Sequence, residues 1–171
     1  MDDLKIISRQ LLDTVSAAAQ SSPRQRKNFN FHQRDDEICH RLLNAIEPDT
    51  YIPPHCHRDA TKGESIVVLR GKVGVMIFTE DGKLTQRLVM QPESEILGVD
   101  IPPGVIHSLV ALEKNSVFFE SKAGPYVALA ENERVNWPPK EGENAMREYL
   151  VVPAKTPQCR RRKGLRLKLL A

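Results

Sequence analysis

The sequence predicts an all-β domain, a sandwich or barrel of about eight strands preceded by one short helix. Short runs of β-branched and apolar residues recur from Asn28 to Lys122. Turn chemistry separates them, and helical periodicity is confined to the first twenty residues.

The helix is expected over Ser8 to Gln20. Ser8 is an N-cap residue, Leu11, Leu12, Val15 and Ala19 form an apolar stripe, and Ser21-Ser22-Pro23 stops it. Asn28 to His32 then alternates polar and apolar, the period of a half-buried strand. Cys39 to Ile46 and Tyr51 to His57 flank the turn Glu47-Pro48-Asp49-Thr50, and Ser65 to Arg70 and Val73 to Phe78 flank Gly71. Leu84 to Met90 follows Glu80-Asp81-Gly82, and Glu95 to Ile101, His107 to Leu112 and Val117 to Lys122 complete the set. Beyond Gly124 the pattern weakens into loop-like composition. The expected organisation is a helical segment over 1–25, a barrel over 26–125, an irregular arm over 126–153 and a basic tail over 154–171.

With 171 residues, 40% of them hydrophobic, the chain is long enough for one ordinary core. Its start lacks the basic residues and apolar run of a secretory signal, and no stretch is apolar enough to span a bilayer, so a cytoplasmic protein is expected. Three cysteines, Cys39, Cys56 and Cys159, form no CxxC pair and read as reduced thiols. The net charge of +3 conceals an asymmetry: Lys155 to Ala171 holds seven basic residues and no acidic one, and the rest holds 18 basic against 22 acidic. The body is mildly acidic, so nucleic-acid binding is not expected of it. Within the tail, Leu165, Leu167 and Leu169 alternate with Arg166 and Lys168, a strand period that would let it add to a neighbouring subunit.

Three of the five histidines fall in one pattern: Pro53-Pro54-His55-Cys56-His57, then Glu64, then Pro102-Pro103-Gly104-Val105-Ile106-His107. The prolines favour extended backbone, and two histidines two apart on a strand project from the same face while Cys56 turns away. Imidazole suits iron, zinc, copper and nickel, and a carboxylate keeps manganese in play. His55, His57, Glu64 and His107 are therefore the candidate ligands of one divalent metal. A six-coordinate ion held by four side chains would keep two positions for water or substrate. His32 and His40 read as hydrogen-bonded structural residues, and Asp59, Lys62 and Lys122 as solvated charges. Tyr51, Asn44 and Asn30 are pocket candidates, Tyr51 by its parity with His55 and His57, the asparagines because ordered polar residues need partners.

These motifs resemble those of the cupin superfamily, Gly, His-x-His, Glu, Gly followed by Pro-x-Gly-x-x-His, carried here by His55, His57, Glu64 and Gly71 and by Pro102, Gly104 and His107. The six residues between His57 and Glu64 exceed the family pattern, and Ala111 stands where an asparagine often closes the second motif. A narrower resemblance is to the WbuC-type cupin-fold metalloproteins, through Arg26 to His32, Arg41 to Pro48, the histidine motif and Val68-Leu69-Arg70-Gly71. The resemblance implies a double-stranded β-helix, or jelly-roll barrel, holding one divalent ion (iron, zinc, manganese or nickel). It also implies a small-molecule ligand, a homo-oligomer such as a dimer, and a link to O-antigen or other surface-polysaccharide biosynthesis. A metal-dependent isomerase, epimerase or oxygenase is one expectation, and a non-catalytic binding or sensing module is the other.

Overall fold

Ser8 caps the first element by accepting a hydrogen bond from Leu11 N at 3.2 Å, and the helix α1 runs over Arg9–Gln20. Its buried stripe is Leu12, Val15, Ser16 and Ala19. In the computed structural model, residues 4–128, 130 and 133–139 are described. The tail at 154–171, including its alternating leucines, and most of the arm at 126–153 lie outside them.

Eight strands follow: β1 (Arg26–Asn30), β2 (Cys39–Ile46), β3 (Glu64–Arg70), β4 (Val73–Phe78), β5 (Leu84–Met90), β6 (Gly98–Ile101), β7 (Ile106–Ala111) and β8 (Ser116–Ala123). They form two antiparallel sheets, one ordered β1-β2-β8-β3-β6 and the other β5-β4-β7. Ile46, Ile66, Val68, Val73, Val75, Met90, Ile101, Leu109 and Phe118 fill the space between the sheets. A second cluster packs the α1 stripe against Leu43, Ala45 and Val117, on the outer face of the larger sheet. Alternation along each strand makes this two-sided burial possible: Asn44 and Ile46 face inward while Leu43 and Ala45 face the helix.

One expected strand is absent. Tyr51 to His57 makes only isolated bridges, at His55 to His107 and to Arg134. Pro53 and Pro54 have no N–H to offer a ladder, so this stretch crosses the end of β7 as an extended loop. The strand expected from Glu95 begins only at Gly98, because 91–97 is taken up by a turn in which Gln91 N donates to Ile96 O at 3.1 Å. Gly71 turns β3 into β4 at a φ of +74°, and a Cβ there would lie 2.5 Å from Ser116 Oγ.

Candidate metal centre

Backbone hydrogen bonds join the two histidine motifs before any side chain is considered. His55 N donates to His107 O at 3.1 Å, His107 N returns to His55 O at 2.9 Å, and Gly104 N donates to His57 O at 2.7 Å. Gly104 sits at a φ of +81°, so the Pro102-Pro103-Gly104 turn depends on it to aim that N–H. A further bond, Ser108 Oγ to Ile52 O at 2.6 Å, secures the loop below His55.

Glu64 reaches the same place from the other sheet, at the first position of β3. The six-residue interval before it is absorbed by a local turn, with Lys62 N donating to Asp59 O at 2.9 Å and Thr61 N to Asp59 Oδ1 at 2.9 Å. The longer spacing thus leaves the glutamate at the mouth of the space between the sheets.

The rings converge. His55 lies 4.6 Å from His107 and 5.4 Å from His57 between centroids. His55, His57 and Glu64 each offer a ligand atom, and these atoms all lie within 4.8 Å of one another. Glu64 Oε1 is 2.9 Å from His57 Nε2, and Oε2 is 3.3 Å from His107 Nε2. Those distances would suit hydrogen bonds, yet both buried Nε2 atoms lack any partner at acceptable angles.

The outer nitrogens set the tautomers. His55 Nδ1 lies 3.0 Å from Pro53 O and His107 Nδ1 lies 2.9 Å from Val105 O. A carbonyl only accepts, so each Nδ1 carries a proton, which leaves Nε2 as the nitrogen that would ligate a cation. Burial, reinforced by His107, pushes the His55 pKa down to about 4, so this ring is neutral at physiological pH. Burial would raise the Glu64 pKa; His107 and His57, so far as they carry a proton on the nitrogen facing it, and the Lys122 ammonium outweigh burial and hold the carboxyl below the usual carboxylate range.

Lys122 is not a solvated charge. Its Nζ lies 3.2 Å from Glu64 Oε1 and 2.7 Å from Glu120 Oε1, and its side chain is 27% exposed. Burial opposes its charge, but Glu120 and Glu64 together hold its pKa above the ordinary lysine value. Asn44 Nδ2 donates to Glu120 Oε2 at 2.7 Å, which completes a chain from Asn44 through Glu120 and Lys122 to Glu64. Register explains it: Lys122 pairs across the strands with Glu64, and Asn44 with Phe118, one step along the same face from Glu120.

A cavity of about 400 Å³ opens on this cluster, with His55, Glu64, His107, Glu120, Lys122 and Asn44 in its wall together with Arg24, Arg26 and Lys27. A smaller one of about 220 Å³ reaches His55, His57 and Lys122 from the side of Tyr126 and Val127. Tyr51 and Asn30 are not among the lining residues. Tyr51 is buried and its hydroxyl donates to Pro139 O at 2.9 Å, while Asn30 accepts from Asn28 Nδ2 at 2.6 Å on an exposed strand. His32 and His40 stack on each other at 4.0 Å, with His32 Nδ1 near Arg41 O and His40 Nε2 near Asp35 O. Cys56 is buried with its Sγ 4.0 Å from Glu133 O and, by that burial, has a raised thiol pKa. Glu120 was the residue with the weakest sequence signal, although a charge two positions from Phe118 and from Lys122 on one strand face is the pattern that marks an inward polar cluster.

Two antiparallel sheets enclose one core, and both histidine motifs meet the β3 glutamate at the mouth between them. The chain folds as an all-β sandwich of two antiparallel sheets around one core. Residues 7–90 match a family model described as a domain of unknown function, DUF6016. No curated protein matches the sequence. Solved structures similar to this chain include a conserved protein of unknown function from Streptococcus pyogenes, at 13% identity over 74% of this chain and 93% of that one, with a TM-score of 0.48. KdgF from a Halomonas species is 18% identical over 60% of this chain and 82% of that one, with a TM-score of 0.44. A cupin-2 domain protein from Shewanella frigidimarina is 18% identical over 57% and 80% of the two chains, with a TM-score of 0.43. No helix among the described residues is long and apolar enough to cross a membrane.

Proposed function

We propose that this chain is a cupin that holds one divalent transition metal through His55, His57, Glu64 and His107 and uses it in a reaction of a small polar, sugar-type molecule. The observation that carries the reading is the pair of buried, unpartnered Nε2 atoms on His57 and His107 beside one ionised carboxylate. Each such nitrogen, withdrawn from water without a partner, costs about 1–3 kcal/mol. A cation shared by both nitrogens and the carboxylate would remove that cost. The donor set of neutral imidazoles and one carboxylate fits iron, zinc, manganese or nickel.

A bound ion would supply a Lewis acid with net positive charge. The protein's own contribution is to hold the rings through the Pro53 and Val105 carbonyls, to keep Glu64 ionised beside Lys122, and to offer a walled cavity on one side. An isomerase, an epimerase or an oxygenase would each use such a centre. The sugar-type substrate and a role in surface-polysaccharide biosynthesis rest on the resemblance to WbuC-type proteins.

Protein purified without a histidine tag should carry about one ion per chain by elemental analysis, the stoichiometry of a single mononuclear site. His57→Ala and His107→Ala should abolish that content, and His32→Ala should keep it. A metal-free protein that gains no thermal stability from added iron, manganese, zinc or nickel would overturn the reading. Turnover of a sugar nucleotide or keto acid, or oxygen consumption, by the loaded protein would establish catalysis. Ligand-induced stabilisation without turnover would assign a binding or sensing module instead.

A further inference from the structure

The larger sheet ends at β6, and that edge is acidic and apolar at once. Among the described residues β6 pairs only with β3, so half of its N–H and C=O groups face outward, unused by the ladder. Val67, the cross-strand partner of Gly98, is 42% exposed, because glycine has no side chain to cover it. Ile96 and Leu97, at 37% and 48%, extend the apolar surface into the turn before the strand. From 91 to 101 the chain holds three acids, Glu93, Glu95 and Asp100, all exposed, and no base. Asp100 uses one oxygen on Ser65 Oγ at 2.6 Å, and Glu93 and Glu95 have no partner among the described residues.

The other edges differ in charge or in cover. β1 carries Arg26 and Lys27 and no acid, β5 carries Arg87 and no acid, and β7 is bridged at one end by the loop at His55. One segment of the chain has the character opposite to that of β6. Gly164 to Leu170 alternates Leu165, Leu167 and Leu169 with Arg166 and Lys168, and Arg160-Arg161-Arg162-Lys163 precedes it. It lies outside the described residues, the last of which is Pro139. From Pro139 to Gly164 an extended chain spans roughly 80 Å, against about 40 Å for the width of a domain of this size. Reach therefore allows every edge, and charge selects β6.

We propose that residues 164–170 dock on β6 of their own chain as an added strand, with a leucine beside Gly98 covering Val67 and the basic side chains among Glu93, Glu95 and Asp100. Main-chain bonds to the open edge supply affinity, and the leucines and cations supply register and choice of edge. A tethered segment is present at an effective concentration in the millimolar range, which favours its own sheet over a neighbour's. Since Glu64 pairs with Ile101, the docked segment braces the strand pair that carries a candidate metal ligand. Docking does not depend on the ion.

The test is hydrogen exchange read by mass spectrometry on the full chain and three variants: a chain ending at Pro157, Leu167→Asp, and the double variant Glu93→Lys with Glu95→Lys. Amides of 96–101 should exchange about tenfold faster in all three, as expected when an edge loses its partner strand. Amides of β1 and β5 should be unchanged. Both acids are exposed and the tail contributes nothing to the described core, so folding is at little risk, and unchanged protection in β8 verifies it. Sedimentation velocity should give the same subunit number for the full and shortened chains, because the contact lies within one chain. Exchange at 96–101 unmoved by the shortening or by either substituted variant, or acceleration of equal size at β1, would overturn the proposal. A smaller assembly on shortening would overturn it too, by placing the segment on a neighbouring copy.

Discussion

His55 is held neutral because its ring is buried and faces His107, and the consequence is an acid sensitivity confined to a narrow window. In the metal-free protein its pKa falls from 6.5 to about 4 on folding. Above pH 6.5 the ring is neutral in both states and contributes nothing. As pH falls from 6.5 toward 4 the unfolded chain takes up a proton that the folded chain refuses, so stability is lost by up to about 3 kcal/mol and then levels off. Glu64 acts lower. Its depressed pKa contributes stability that is fully present above the ordinary carboxylate value and is lost progressively as pH falls from there to the folded one. Urea unfolding of chelated protein at pH 7, 5.5 and 4 should show this loss, and His55→Gln should flatten it. Equal slopes in the two proteins would refute the assignment to His55. Lys122 is the second sensitive residue, because it pairs with Glu64 and Glu120 at once. Lys122→Met should cost about 3 kcal/mol, the scale for stranding a buried charge, and urea unfolding at pH 7 measures it. A loss under 1 kcal/mol would mean that water already solvates both acids. The sequence marks the histidines by their types and spacing, whereas nothing local to Lys122 separates it from a surface lysine. Its role is created by the register that sets it opposite Glu64.

At the scale of elements, what was legible in the sequence is what short-range chemistry decides. The Ser8 cap, the Gly71 and Gly82 turns and the alternating strands each follow from a few adjacent residues, and the elements lie where those residues place them. The segment from Tyr51 to His57 departs from the expectation because a ladder needs donors that Pro53 and Pro54 lack. The histidines converge all the same, through the bridge of His55 to His107 and the Gly104 N–H on His57 O. The failed expectation leaves the site intact: the strand is absent, yet extended backbone and a bridge to β7 still bring both rings to one place. Gly71 tests how tightly β3, β4 and β8 are coupled. A methyl group there would face Ser116 Oγ at 2.5 Å and Cα at 2.8 Å while sitting at a φ of +74°. Left-handed backbone alone costs a non-glycine residue roughly 1–2 kcal/mol, and displacing Ser116 disturbs its bond to Lys72 N at 3.1 Å. Gly71→Ala should therefore lower stability by about 2 kcal/mol or more in chemical denaturation. A neutral substitution would show that the turn can re-form elsewhere.

For the whole molecule, the larger sheet is a partition between two buried layers. On its inner face lie the core and the candidate metal centre, and on its outer face lies α1, with Leu12, Val15 and Ala19 on Leu43, Ala45 and Val117. Arg70 ties the helix down by donating to Leu12 O at 2.9 Å. The candidate ligands come from the loop at 55 and 57, from β3 and from β7, so a bound ion would join segments up to 52 positions apart, all on the inner side. Binding to the folded state alone stabilises by about 2.7 kcal/mol at a hundredfold excess over Kd. The helix packs on the opposite face of the sheet from that cluster, and perturbations without shared partners add to within about 0.5 kcal/mol. Leu12→Ala removes a buried side chain from the outer layer and should cost about 2–3 kcal/mol. The expected outcome is that metal raises the melting temperature of Leu12→Ala and of the parent protein by the same amount, while it raises that of His107→Ala not at all. Calorimetry of the three proteins with and without metal measures it. A metal response reduced in Leu12→Ala would mean that the sheet transmits strain between its faces, because sharing a domain is not by itself coupling.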